Sequence, residues 1–305
     1  MKFGFGYQLW LRDYHIENFY RMLDELALEG LDGFECLESF LLDWFERRPQ
    51  EFHRLLDMHG LQFASYYTGG EYTTPEQRDQ YKQTVKRRAR FMAAAGYENI
   101  LLDCGHEFRD LNAQQLDDYI RVIADTANEL GEYCKTLGLK THWHQHWGSV
   151  FEKKQNFYRF MELLDPALVG FCCDCGQLEL GDFDVLQTVR DFADRITFMH
   201  YKDVIKAGRP DGELWPGKVV PCDEGAYNVD SRYRWVELGR GCVPYVEITK
   251  IMAEHHYDGW IVDDFDYTGY QPRACVRACK EYLNQACGIW TDRDKKEGRA
   301  PAGVR

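Results

Sequence analysis

No stretch of this chain reaches the roughly 18 to 20 uninterrupted apolar residues that a membrane span needs. The first fifteen residues, MKFGFGYQLWLRDYH, meet Arg12 and Asp13 before a signal-peptide core could form. Basic charge is equally scarce: 37 Lys and Arg stand against 50 Asp and Glu, a formal net charge of -13. Such a chain repels phosphate backbones and anionic membranes unless it gathers a local basic patch, and the sequence holds none. Neither nucleic acid nor a membrane is therefore expected as a partner. The GxGxxG fingerprint of a dinucleotide-binding sheet is also missing; the first strand runs into FGFGYQLW instead. The 11 Cys are odd in number and lie singly or inside apolar runs, as at Cys172, Cys173 and Cys175. They suit buried, reduced thiols in a cytoplasmic protein better than a disulfide framework.

What the sequence does have is apolar and aromatic substance. Hydrophobic residues make up 45% of the 305 and aromatics 15%, enough for one large core with rings left over to line a pocket. Short β-branched or aromatic runs alternate with longer helical patterns. The candidate strands are KFGFGYQL from Lys2, DGFEC from Asp32, LQFASYY from Leu61, NILLDC from Asn99, LKTHWHQH from Leu139, VGFCCD from Val169, RITFMHYK from Arg195 and GWIVDDFD from Gly259. Gly30, Gly60, Gly96 and Gly138 close the intervening helical stretches as C-terminal caps would. Eight strand–helix units predict a (β/α)8 TIM barrel in one α/β domain over residues 1–290. A charged tail, 291–305, is expected to be flexible. A long Gly/Pro/aromatic loop after the seventh strand is expected to be functional.

In such a barrel the C-terminal strand ends carry the chemistry. A parallel strand buried on both faces is normally an apolar run, so polar residues recurring at one end of successive strands need a reason. In THWHQHWG, residues 142, 144 and 146 share one face, while Trp143, Gln145 and Trp147 share the other. Taking one inward residue near the mouth from each of the last four strands gives His144, Asp174, His200 and Asp264. Two imidazoles and two carboxylates converging on a point make a site for one divalent transition metal. His142, deeper, reads as a hydrogen-bonded core residue. Asp174 taken alone could also be a helix N-cap, and Lys202, sharing a face with His200, could instead pair with a surface carboxylate.

The pieces LEGLDGFE, FCCDCGQLELGD, RITFMHYKDV and ELGRGCVPYVEITKIMAEHHYDGWIVDDFD resemble the sugar-phosphate isomerase/epimerase superfamily with the xylose-isomerase-like barrel, over nearly the whole chain. The resemblance implies one Mn, Co, Mg or Zn ion held from strands five to eight. Asp174 and His200 match the family's ligands directly. His144 and Asp264 stand where most members have Glu, and Gln177 where many have His. The WHQHWGS segment is similar to the corresponding stretch of inosose dehydratases. In ketose 3-epimerases the two replaced glutamates are also the acid/base pair, so the departures favour a lyase.

The expected chemistry is α-proton abstraction from a keto-polyol, an inosose or a 3-keto-sugar or glycoside, followed by loss of a β-substituent. His146 or Asp264 is the candidate base, and Lys202 or His146 the candidate acid. Asp203 and Asp266 are candidates to orient the imidazoles. Trp10, Tyr66, Trp147 and Trp215 could offer rings to a sugar face, and Glu35, Asp103, Gln177 and Arg240 could contact its oxygens. A ketose epimerase or isomerase is the first alternative and a non-catalytic sugar-binding barrel the second. By analogy the protein is expected to form homo-oligomers, with a small partner subunit conceivable for the glycoside-cleaving variant. Endonuclease IV shares the barrel but needs further His and Glu ligands and a basic DNA surface.

Overall fold

The computed structural model describes all residues except 11–14, 38, 105–110, 207–232, 267–270 and 302–305. Ten strands are present among the described residues: β1 (Lys2–Gly6), β2 (Gly33–Cys36), β3 (Gln62–Gly69), β4 (Asn99–Asp103), β5 (Lys140–His144), β6 (Val169–Asp174), β7 (Ile196–Tyr201), β8 (Asp203–Lys206), β9 (Tyr233–Val236) and β10 (Trp260–Asp263). Eight of them close into a parallel barrel in the order β1-β10-β7-β6-β5-β4-β3-β2. Each expected strand is there, and helices separate them as the helical periodicity predicts. Ile16–Glu29, Pro75–Ala95 and Ala113–Thr136 are the helices of the three longest patterns. The four capping glycines all have positive φ, from +66° at Gly60 to +81° at Gly96, the left-handed turn that ends a helix without a Cβ clash.

Two layers of packing hold the barrel. Outside the strands, rings from the sheet and helices interlock: Phe34 and Phe63 lie 5.1 Å apart, and Phe52 sits 5.4 Å from Phe63 and 5.3 Å from Phe91. Inside, Ala64, Leu101, Cys172, Phe198, Trp260 and Val262 fill the lower lumen. Gly33 makes room at that end, where a Cβ would lie 2.2 Å from the Gln62 carbonyl oxygen and 2.8 Å from the Trp260 ring. His142 belongs to this layer. Its Nε2–H donates to Asn99 Oδ1 at 3.1 Å, and its Nδ1 accepts from Thr197 Oγ1 at 2.7 Å. Burial pushes its pKa down to about 3, so the ring stays neutral.

Three expectations are corrected. The segment after the seventh strand is not all loop: β8 and β9 pair antiparallel, Asp203 opposite Val236 and Lys206 opposite Tyr233. The turn region 239–243 is tied to β8 by Asp203, which takes this chemistry away from the imidazoles, as set out below. The tail does not come loose at residue 291. The Asp292 N–H donates to Asp32 Oδ1 at 2.8 Å, and Lys280 Nζ meets Asp294 Oδ1 at 3.0 Å. These bonds dock the short helix Asp292–Lys296 on the barrel.

A bulge sets which side chains of β3 look inward. Phe34 pairs with Phe63 but Glu35 pairs with Ser65, leaving Ala64 without a partner on β2. One extra residue reverses the faces of everything after it. Ser65 and Tyr67 therefore turn into the barrel and Tyr66 turns out. No helix among the described residues is long and apolar enough to cross a membrane.

Candidate metal centre

The strand register brings four side chains together at the C-terminal mouth. Asp174 pairs directly with His200 across β6 and β7, and His144 pairs with Cys172, two residues below Asp174 on the inward face. Asp264 follows β10 immediately, its N–H donating to the Tyr201 carbonyl at 3.2 Å. One ligating atom from each of His144, Asp174, His200 and Asp264 lies within 4.8 Å of the others. All four residues are buried, Asp174 and His200 completely.

Each is held by a separate contact. Asp174 divides its carboxylate: Oδ1 accepts the Gln177 N–H at 2.9 Å, capping the helix Cys175–Leu180, while Oδ2 faces the site. The cap and the ligand are thus the same residue. His200 donates Nε2–H to Glu35 at 3.1 Å, and Ser65 Oγ–H donates to the same carboxylate. This leaves His200 Nδ1 buried with no hydrogen-bond partner among the described residues, 3.8 Å from both Asp174 Oδ2 and Asp264 Oδ2. His144 meets Asp174 Oδ2 through Nε2 at 3.3 Å and the Tyr67 hydroxyl through Nδ1 at 3.2 Å. Tyr67 in turn donates to Asp103 Oδ2 at 2.5 Å. Burial, and then Asp103 beside it, raise the phenol's pKa well above its ordinary value, so it stays protonated.

Asp264 is flanked by Gln8, whose Nε2 donates to Oδ1 at 2.5 Å, and by Lys202, whose Nζ donates to Oδ2 at 3.0 Å. Burial opposes its ionisation, but neighbouring positive charge, first of all the Lys202 ammonium, outweighs that and holds the carboxyl below the usual range. Lys202 also meets Asp266 at 2.6 Å and lies 4.7 Å from the centre of the Trp235 ring on β9. Burial alone would discharge its ammonium, yet Asp264 and Asp266 keep it charged and raise its pKa.

The donor set fits a divalent ion. A buried imidazole nitrogen without a partner among the described residues faces two carboxylate oxygens, and such an atom is costly to leave unpaired. Two imidazoles and two aspartates also suit a borderline cation of the Mn, Co or Zn type.

The remaining candidates scatter. His146 lies beyond the end of β5; its Nδ1–H donates to the Trp147 carbonyl and its Nε2 accepts from Gln177 Nε2 at 3.2 Å. Gln177 also accepts the Trp147 N–H at 3.0 Å, so it braces that turn. Trp147 packs against Tyr233 at 5.3 Å, and both line a cavity of about 280 Å3 with Lys206 and Asp182. Trp10 is turned away from the mouth, packed on Phe5 and donating to Glu25 Oε2. Tyr66 likewise faces the helices, under the Arg88 guanidinium at 4.6 Å, because of the β3 bulge. Arg240 pairs with Glu237 at 2.8 Å. Trp215 lies outside the described residues.

Asp203 does not orient an imidazole: it accepts from the backbone N–H groups of Val204, Gly239, Gly241 and Val243. Asp266 pairs with Lys202 instead. The imidazole-orienting partners are Glu35 for His200 and Tyr67 with Asp103 for His144. Sequence reasoning missed Tyr67 and Gln8. Inward-facing polar side chains at the ends of β1 and β3 were the signal, and the bulge hid one of them.

The family model for the Xylose isomerase-like TIM barrel matches residues 23–281. An inosose dehydratase of Geobacillus kaustophilus is 25% identical over 281 residues, covering 87% of this chain and 86% of that protein. Among solved structures, a probable 3-DHS dehydratase, AsbF, of Bacillus anthracis superposes with a TM-score of 0.72 at 15% identity, covering 93% of this chain and 99% of that one. The IOLI protein, solved with a bound zinc atom, gives 0.73 at 12% identity, covering 96% and 100%.

Proposed function

The chain belongs to the xylose isomerase-like TIM barrel family, and on that premise we propose that it is a divalent-metal-dependent carbon–oxygen lyase acting on a keto-polyol, an inosose or a 3-keto-sugar. The observation that carries this reading is the convergence of His144, Asp174, His200 and Asp264 within 4.8 Å beside a buried, charged lysine. The curated relative named inosose dehydratase supports the substrate class, and the zinc-bound relative supports the cation.

His144 Nε2, Asp174 Oδ2, His200 Nδ1 and Asp264 would hold the ion. When bound, the ion supplies Lewis acidity toward the ketone oxygen and its neighbouring hydroxyl. The protein's own groups do the rest. His146 is the base: its Nδ1–H is committed to the Trp147 carbonyl, and Nε2, which accepts from Gln177 Nε2 at 3.2 Å, exchanges that contact for the proton next to the ketone. The electrons of that C–H bond form the C=C bond as the C–O bond to the β-substituent breaks. For a β-hydroxyl the departing oxygen leaves as water with the proton from protonated His146, and the product is an α,β-unsaturated ketone, which is also the enol of a 1,2-diketone where the α-carbon carries a hydroxyl.

Lys202 serves as fixed positive charge rather than as the acid, because Asp264 and Asp266 hold its proton tightly. It stabilises negative charge as it develops on the substrate oxygens. Asp264 is a poor base for the same reason, its oxygens being engaged by Lys202 and Gln8. An epimerase needs a second group to return the proton on the opposite face, and His144, turned into the cation site, does not supply it.

The test is an assay of metal-stripped protein restored with Mn, Co, Mg or Zn, given an inosose, a free ketose and a 3-keto-glucoside. The expected result is cation-dependent growth of ultraviolet absorbance from the unsaturated product. Full turnover after chelation overturns the metal requirement. Deuterium uptake from solvent into unchanged or epimerised sugar, without loss of water, overturns the lyase in favour of an epimerase.

A further inference from the structure

His144 is the one imidazole of the cluster whose two nitrogens both meet oxygen atoms, Asp174 Oδ2 at 3.3 Å and the Tyr67 hydroxyl at 3.2 Å. A neutral imidazole carries a single N–H, so one of these contacts is a donation and the other is not. Which is which decides whether Nε2 presents a lone pair or a proton to the centre of the cluster.

The neighbours decide it. Tyr67 has one hydroxyl proton, and Asp103 Oδ2 takes it at 2.5 Å. Asp103 is buried, only 3% exposed, and its other oxygen has no partner among the described residues. The Tyr67 oxygen is left with only lone pairs to offer His144, so Nδ1 must carry the proton and donate it. Nε2 then faces Asp174 Oδ2 as lone pair against lone pair, an arrangement that calls for a cation between them.

The positions of the partners are fixed by the fold. Tyr67 looks inward only because Ala64 is bulged out of register with β2. Asp103 is paired with Gly69 at the ends of β3 and β4. The Tyr67 ring is further wedged against both imidazoles, 5.2 Å from His144 and 6.2 Å from His200, near-parallel to the latter at 20°.

We propose that Asp103 and Tyr67 form a positioning relay that locks His144 in the Nδ1–H tautomer, so that Nε2 is permanently available to a divalent cation. The relay rests on reading His144 as a cation ligand, but its effect on the tautomer is present before any ion binds. Asp103 and Tyr67 are positioning residues: neither touches the cation. His200 receives the mirror treatment from Glu35, whose carboxylate takes Nε2–H and frees Nδ1. The two imidazoles are therefore set in opposite tautomers by two different carboxylates.

The tautomer is read directly from the 15N shifts and long-range 1H–15N couplings of histidine-labelled, metal-free protein at pH 8, with His144 assigned by its loss in His144→Gln. The expected pattern for His144 is protonated Nδ1 and bare Nε2 in the parent chain. In Tyr67→Phe it moves toward the other tautomer or an average of the two, with Asp103→Asn in between. Zn(II) affinity by calorimetry falls about 10- to 100-fold in Tyr67→Phe, while the unfolding midpoint serves as the folding control. Unchanged His144 shifts and unchanged Zn(II) affinity in a folded Tyr67→Phe overturn the relay, as does a parent chain with Nε2–H. Should the parent bind no Zn(II) at all, and His200→Ala differ from it in nothing, the metal reading fails on its own, and the metal-free spectra still decide the tautomer.

Discussion

His200 and Glu35 lie 165 positions apart in the sequence and meet at 3.1 Å inside the barrel, from strands that are not neighbours in the sheet. The carboxylate takes the Nε2 proton and is itself steadied by Ser65 from the bulged strand. This contact gives His200 a single orientation with Nδ1 toward Asp174 and Asp264. Glu35→Gln keeps the shape but offers an amide that can accept or donate. Divalent-cation affinity is expected to fall about 10- to 100-fold, measured by calorimetric titration of stripped protein with Zn(II). Unaltered affinity would show that His200 needs no such partner.

Lys202 bridges Asp264 and Asp266 with its charge retained. Lys202→Met removes the fixed positive charge while filling similar space. Turnover should drop by about 10² to 10³, with cation binding still at one per chain by elemental analysis. Loss of the ion together with activity would instead place Lys202 in the service of the cation site.

Among the described residues, the polar atoms of His142 bond to Asn99 and Thr197, below the cluster. His142→Ala leaves a cavity and two unpaired partners and should cost about 2–4 kcal/mol in urea unfolding. The cation content should stay that of the parent. A stable variant without metal would reverse the assignment.

Asp32 sits under the barrel and accepts the N–H groups of Phe3 and Asp292. Burial outweighs those bonds and raises its pKa to about 6 from 3.8. Between those two values the folded state binds more protons than the unfolded one, so this group's contribution to stability declines as pH rises from about 4 to 6. Asp32→Asn has no such proton to lose. The difference in unfolding free energy, parent minus variant, should therefore slope downward across that window. A flat difference curve means that Asp32 ionises freely in the fold.

The barrel was legible because its signals are local. Strand-length apolar runs, helical periodicity and glycines at helix ends each need only a dozen residues of context, and Gly30, Gly60, Gly96 and Gly138 all adopt the left-handed conformation. The inward alternation of Cys172 with Asp174, Phe198 with His200 and Val262 with Asp264 could be read in the same way. What stayed hidden depends on distant or irregular geometry. Nothing near Ala64 announces a bulge, so Tyr66 was expected at the mouth where Tyr67 stands. Glu35 carries no local mark that its partner is His200, and Asp203 looks like its acidic neighbours until the backbone of residues 239–243 is folded over it. The pairing of β8 with β9 joins segments 26 residues apart, beyond the reach of periodicity.

Asp203 gathers four backbone N–H groups and pins both feet of the β8–β9 ribbon to the barrel rim, while Lys202, just before it, belongs to the reactive centre. All five residues of that anchor are described residues of β8 and the turn after β9. The ribbon's anchor and the cation site are thus joined by a single peptide bond, so a change that loosens one reaches the other directly.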